Sequence, residues 1–158
     1  MHNFDGRKIP ITGGLGFIGS NPVRKLVERG TDATLVDSLI SQYGGNLANV
    51  EVLRDKTQVN ISDVRDPHTM SDLTKDGDDL FNLVAQTSHM DSLTDPFTDL
   101  EINPTSQPSI LVATRKHTPR VRIAYTSTRQ IYGKPQYTKT PIISWRKAVS
   151  NSQKIRGN

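Results

Sequence analysis

The chain has 158 residues, 34% of them apolar, no Cys, and a formal net charge of +4. That length suits one domain with a proper core and not two, and without Cys there is no disulfide framework, thiol nucleophile or cysteine metal site. No apolar run approaches the ~18 residues of a membrane span, and the N-terminus lacks an apolar signal core, so a soluble cytoplasmic protein with no membrane partner is expected.

The first strand is read over Arg7-Lys8-Ile9-Pro10-Ile11, and the stretch Ile11-Thr12-Gly13-Gly14-Leu15-Gly16-Phe17-Ile18-Gly19-Ser20 follows directly. Phe17, Ile18, Val23, Leu26 and Val27 then recur at helical spacing until Gly30. A glycine cluster between a strand and a helix is the context in which a phosphate-binding fingerprint has meaning. Gly13 permits a sharp turn, Gly16 clears room for a pyrophosphate against backbone, and Gly19 lets the helix pack close to the sheet. The amides of Phe17 and Ile18 then sit where a helix N-terminus offers unpaired N–H groups and partial positive charge.

Ala33-Thr34-Leu35-Val36-Asp37 is the second strand, ending in an acid 18 residues after Gly19. A carboxylate there can accept from both ribose hydroxyls of the adenosine half of NAD and would repel a 2′-phosphate, which favours NAD over NADP. A surface Asp capping a loop is the plainer alternative. Ser38 to Asn49 is a connection with a turn at Tyr43-Gly44-Gly45-Asn46. Gln58 to Ser62 is the third strand, followed by Asp63-Val64-Arg65-Asp66. Asp63 can accept from an adenine amino group while the Val64 amide reaches the ring, or it can simply cap the helix that opens at Asp66-Pro67.

The fourth strand is placed at Asp79 to Ala85, so that Ala85-Gln86-Thr87-Ser88 reaches the same sheet edge as the glycine turn. His89 and Asp91 follow on a loop, too sparse a pair for a metal site. A helix from Pro96 to His117 is interrupted by Pro104 and Pro108, each of which removes a backbone donor. Val121 to Tyr125 is the fifth strand, leading into a polar turn from Thr126 to Gly133. Strands alternating with helical spans imply an α/β fold with a parallel, doubly wound sheet. Pro10 in a central strand and Pro22 inside the first helix conflict with that fold locally.

The basic character belongs to the end of the chain. From Lys134 to Asn158 there are six basic residues and no acid, whereas residues 1–133 hold 14 basic against 16 acidic. A poorly ordered, solvated tail is expected there. Nucleic acid is not an expected partner, because no helix-turn-helix, zinc or RNA-binding motif accompanies the charge.

These motifs resemble the extended short-chain dehydrogenase/reductase family, in particular its NAD-dependent nucleotide-sugar epimerases and dehydratases. The resemblance runs through Thr12 to Ser20, Val36-Asp37, Tyr43 to Asn46, Asp63 to Asp66, Ala85 to Asp91, Asp99 to Asn103 and Thr126 to Gly133, in the family's order, across residues 7–135. It implies a Rossmann-like NAD-binding domain over residues 1–133, with five strands of the cofactor half, and a nucleotide-sugar substrate oxidised and re-reduced through NAD. It implies that Gly13, Gly16, Phe17, Ile18, Gly19, Asp37, Asp63, Val64, Ala85, Gln86, Asn103 and Thr126 line the cofactor. It also implies that Thr128 bonds the reacting hydroxyl. Wording around Tyr43 and Gln86 to Pro96 is similar to the subgroup acting on CDP- or GDP-linked sugars.

Two departures shape the expectation. Dehydratases of the family carry Asp-Glu after the residue matching Thr128, but Arg129-Gln130 stand here, which favours epimerisation. The family's catalytic Tyr-x-x-x-Lys would fall near Gln153 and Gly157, and no Tyr in the chain has Lys four residues later. A truncated, inactive chain without its substrate half is therefore expected, or alternatively a non-catalytic dinucleotide-binding module. Family dimers use two helices, the second bearing that Tyr, so a stable dimer is not expected.

Overall fold

A computed structural model describes residues 3–127. Thr128, the polar turn beyond it and the basic stretch of 134–158 lie outside the described residues.

Five strands, β1 (Lys8–Thr12), β2 (Asp32–Asp37), β3 (Thr57–Ile61), β4 (Asp79–Asn82) and β5 (Arg122–Tyr125), form one sheet in the order β3-β2-β1-β4-β5. Every pairing is parallel. The order reverses at β1, so the crevice outside the C-terminal ends of β1 and β4 is the topological switch point at which such sheets bind ligands. The sheet is doubly wound and Rossmann-like, as the alternation of elements predicts.

The two faces carry separate cores because side chains alternate along each strand. Ile9, Ile11, Ala33 and Leu35 point to one face, where they meet Val23 and Leu26 of α1 (Phe17–Val27). Val50 and Leu53 join them from a succession of 3₁₀ turns over Leu47–Lys56. On the other face Val36 and Leu80 pack with Met70 of α2 (Pro67–Thr74) and with Ile110 and Ala113 of α5 (Ser106–His117).

Pro10, Pro104 and Pro108 are accommodated by position, whereas Pro22 lies inside α1. Even-numbered residues of β1 face β4, since the Asp78 N–H donates to Lys8 O and the Leu83 N–H to Thr12 O. Pro10 therefore lacks its donor on the β4 side only. There the ladder pairs just Ile11 with Phe81 and Thr12 with Asn82, while the β2 ladder runs unbroken from Lys8 to Thr12. The expected helix at 96–117 is divided into α4 (Pro96–Leu100), a π-helical turn (Glu101–Thr105) and α5. Pro104 lies in the π turn, where the Ser106 N–H reaches back to Glu101 O, and Pro108 falls in the first turn of α5. The extra residue of a π turn lets the chain resume the α register beyond a missing donor.

Phe17 and Ile18, in the first turn of α1, are exposed; Gly19, Ser20, Val23 and Leu26 are the buried residues of that helix. Two further expectations are corrected. His89 and Asp91 belong to a short helix, α3 (His89–Thr94), which Ser88 caps by accepting the Asp91 N–H. β4 ends at Asn82 and not at Ala85, because β1 turns away at Gly13 and leaves β4 without a neighbour on that side.

At the opposite sheet edge Asp79 is buried between two arginines. Arg122 donates to it through Nε at 2.6 Å and Nη2 at 3.0 Å, and Arg7 Nε forms an ion pair at 3.2 Å without hydrogen-bond alignment. The pairing offsets the desolvation of the carboxylate and ties together the starts of β1, β4 and β5. No helix among the described residues is long and apolar enough to cross a membrane.

Candidate functional site

The glycine turn is built on three close backbone approaches. Gly13 has φ of +67°, and its N–H extends the β1–β2 ladder by donating to Val36 O at 2.8 Å. A Cβ on Gly13 would lie 2.9 Å from the Val84 backbone, so this turn excludes any side chain. A Cβ on Gly19 would lie 2.0 Å from Gly13 O. Gly19 thus brings α1 against the turn itself and not only close to the sheet. Gly16, by contrast, has extended backbone and a Cβ there would approach only Gly13 O, at 3.3 Å. The space beyond Gly16 is open.

Asp37 closes β2 and grips the neighbouring loops. Its Oδ2 accepts the Leu15 N–H at 3.2 Å and its Oδ1 the Leu39 N–H at 3.0 Å. Leu39 is held at φ of +50°. The Tyr43-Gly44-Gly45-Asn46 turn folds over this carboxylate so closely that a Cβ on Gly45 would sit 2.6 Å from Asp37 Oδ1. Leu15 O accepts both the Asn46 N–H and Asn49 Nδ2, which fastens the connection after β2 to the glycine turn.

Asp63 follows β3 and does not cap a helix. The cap of α2 is Asp66, which accepts the His68 and Thr69 N–H groups. Asp63 instead accepts from the Arg65 N–H and guanidinium, and this pairing with Arg65 holds its carboxyl below the ordinary carboxylate range. The fourth strand's continuation is tied down by an amide pair. The Gln86 N–H donates to Asn103 Oδ1 at 2.9 Å, and Asn103 Nδ2 donates back to Gln86 O at 3.0 Å.

One groove at the C-terminal edge of the sheet gathers much of this. It is lined by Gly13, Gly16, Asp37, Asp63, Val64 and Ala85 from the predicted set. Gln86 and Asn103 brace its wall from behind. Gly19 is buried beneath it, Phe17 and Ile18 project outward from the helix start, and Thr126 is exposed after β5. Thr128 lies outside the described residues. The groove's other lining residues, Ser38, Ile40, Tyr43, Gly45, Leu83, Val84 and Ile102, were not singled out as site residues. Tyr43 and Gly45 carry a signal in retrospect, since their turn forms part of the resemblance, whereas Ile102 lines the groove only because of the π turn. Among the described residues no group of three His, Asp or Glu side chains could hold a metal ion.

The sequence model of the family described as GDP-mannose 4,6 dehydratase matches residues 11–143. A dTDP-glucose 4,6-dehydratase of Mycolicibacterium smegmatis is 30% identical over 128 residues, covering 80% of this chain and 38% of that protein. A CDP-paratose 2-epimerase of Salmonella typhi is 32% identical over 130 residues, with coverage of 80% and 38%. A crystal structure of a dTDP-glucose 4,6-dehydratase double mutant from Streptomyces venezuelae, with NAD bound, superposes with a TM-score of 0.74 at 25% identity, covering 84% of this chain and 42% of that one. The chain thus spans about two-fifths of the length of the relatives it matches. With the family's motifs in order on the family's fold, this chain belongs to the GDP-mannose 4,6 dehydratase family, among the nucleotide-sugar epimerases and dehydratases.

Proposed function

We propose that residues 1–133 are the NAD-holding half of a nucleotide-sugar epimerase. The observation that carries this is the convergence of Gly13, Gly16, Asp37 and Asp63 on one groove at the switch point of the sheet. The donor set fits the dinucleotide. Space over Gly16 and the first-turn amides at Phe17 and Ile18 suit a pyrophosphate. The Asp37 carboxylate suits a ribose diol without a 2′-phosphate. Asp63 and the Val64 amide suit an adenine edge. Ala85 offers a small side chain where the cofactor's central part would lie. Gln86 and Asn103 hold that wall, and Thr126 leads to Thr128, which would bond the reacting sugar hydroxyl.

NAD, when bound, supplies a hydride acceptor. The residues described here bind and orient it. Epimerisation is preferred to 4,6-dehydration because Arg129-Gln130, not an acid pair, follow Thr128. The 158 residues contain no Tyr with Lys four positions on, so this chain by itself is expected to hold NAD without converting a sugar. That same absence favours the second reading, a non-catalytic dinucleotide-binding module. Neither a nucleic-acid partner nor a stable dimer is expected of this chain.

The test is to incubate the purified chain with NAD+ and CDP-, GDP-, dTDP- and UDP-linked sugars and to follow the sugar ring protons by NMR. NAD+ binding with no new sugar signals is expected. Conversion of any of these sugars would overturn the expectation of an inactive chain, and absence of NAD+ binding would overturn the cofactor assignment.

A further inference from the structure

Behind the groove a single hydrogen-bonded chain of side chains crosses from β1 to α5. Thr12 Oγ1 donates to Asn82 Oδ1 at 2.7 Å, and Asn82 Nδ2 donates to Gln107 Oε1 at 2.6 Å. Gln107 Nε2 then donates to Asn103 O at 3.1 Å and to Ser106 Oγ at 3.2 Å. Thr12, Asn82 and Ser106 are buried, and Gln107 stands half-buried in the first turn of α5. Each side-chain amide has one accepting and one donating end. With its oxygen on Thr12, Asn82 can only donate to Gln107, and Gln107, accepting there, can only donate to Asn103.

This chain bridges a stretch of backbone that the sheet does not hold. β4 ends at Asn82. The Leu83 N–H still reaches Thr12, at 3.1 Å from its carbonyl oxygen and 3.2 Å from Oγ1. The next backbone anchor among the described residues is Gln86, which exchanges two hydrogen bonds with the Asn103 side chain. Leu83, Val84 and Ala85 run between these anchors and line the groove. Thr12 thus holds one end of this wall and Asn103 the other, and Asn82 and Gln107 join the two. The sheet order decides which part of a dinucleotide meets the wall. Asp63 and Asp37 follow β3 and β2, the glycine turn follows β1, and the wall follows β4. With adenosine at the two acids and pyrophosphate at the glycine turn, the second nucleoside reaches β4.

We infer that Gln107 is a positioning residue for the second nucleoside of a bound dinucleotide. It acts through Asn82 and Asn103, which fix the two ends of the wall over residues 83–86, and it does not itself line the groove. This rests on the proposed reading of the groove as an NAD site. The adenosine side has anchors of its own. The Gly13 N–H is held by Val36 O, and the Asp37 carboxylate by the Leu15 and Leu39 N–H groups. Loss of the Gln107 amide therefore loosens one half of the groove and leaves the other in place.

The experiment is calorimetric titration of NAD+ and of ADP into the unmodified chain, Gln107→Met and Gln107→Glu, with a circular dichroism spectrum of each. ADP carries the adenosine and the pyrophosphate but no second nucleoside. Gln107→Met keeps the length of the side chain and removes both ends of the amide. Gln107→Glu keeps an acceptor for Asn82 but turns a carboxylate toward the Asn103 carbonyl oxygen, which repels it. Both variants are expected to bind ADP within about twofold of the unmodified chain. Both should bind NAD+ about tenfold more weakly, the scale of one lost hydrogen bond whose partner is left unsatisfied. Equal losses of ADP and NAD+ affinity would overturn the inference, by showing that Gln107 maintains the groove as a whole. Unchanged NAD+ affinity in either folded variant would also overturn it and leave the groove assignment standing. Loss of the folded spectrum in both variants would assign the amide to the fold and overturn it as well. If the unmodified chain binds neither ligand, the groove assignment falls, and this inference with it.

Discussion

Gly19→Ala is expected to destabilise the protein by about 3 kcal/mol or more, the upper range for overpacking a closed site. The added methyl would lie 2.0 Å from Gly13 O, 2.8 Å from Gly13 C and 3.0 Å from the Gly14 Cα. All three are backbone atoms, so no flexible side chain can move aside. Gly13 cannot yield either, because the Val84 backbone stands behind it. The helix must therefore leave the sheet edge, or the turn must open. Thermal unfolding followed by circular dichroism should show the midpoint falling by about 10 °C or more. Gly44→Ala is the control. Gly44 also has positive φ, at +81°, but nothing lies within 4 Å of its added methyl. It should cost only the ~1 kcal/mol of left-handed backbone strain. Equal melting of Gly19→Ala and the unmodified chain would contradict the geometry of the turn.

The second large effect is expected at Asp37. Asp37→Ala frees two backbone donors, the Leu15 and Leu39 N–H groups. Leu15 is fully buried, so its amide is left without an acceptor at a cost of about 1–3 kcal/mol. Leu39 also loses the bond that steadies its left-handed backbone. Binding should suffer more than stability. On the proposed reading the same carboxylate accepts from the ribose hydroxyls, and loss of two such bonds amounts to about 100-fold in NAD+ affinity. Removing the negative charge also removes the repulsion against a 2′-phosphate, so the preference for NAD+ over NADP+ should narrow. Titration of both dinucleotides into Asp37→Ala and the unmodified chain checks this. An unchanged NAD+ affinity in a folded Asp37→Ala would remove Asp37 from the site.

The parts of the fold that were legible in the sequence are those set by local chemistry. Short strand segments ending at Asp37 and near Asp63, a glycine turn between strand and helix, and Gly30 after Val27 all correspond to elements of the structure. What was not legible depends on partners distant in sequence. β4 stops at Asn82 because β1 turns away, which no residue of β4 announces. Pro10 is tolerated because its missing donor falls on the β4 side, a fact of register. Pro104 sits in a π turn that also brings Ile102 to the groove and Glu101 to Arg65. Phe17 and Ile18 match the helical period yet are exposed. At the site, Asp37 and Asp63 could be placed by their strand ends. The approach of Gly45 to Asp37 and the grip of Arg65 on Asp63 required coordinates.

The most direct test is isothermal titration of NAD+ into the 158-residue chain beside Gly16→Val. Gly16 is the informative control because a Cβ there meets only Gly13 O at 3.3 Å, so a folded variant with an obstructed groove is expected. The account predicts saturable one-to-one binding to the unmodified chain, and its loss in Gly16→Val with the circular dichroism spectrum retained. An ordered α/β spectrum with no heat of NAD+ binding in the unmodified chain would contradict it, as would equal binding by Gly16→Val.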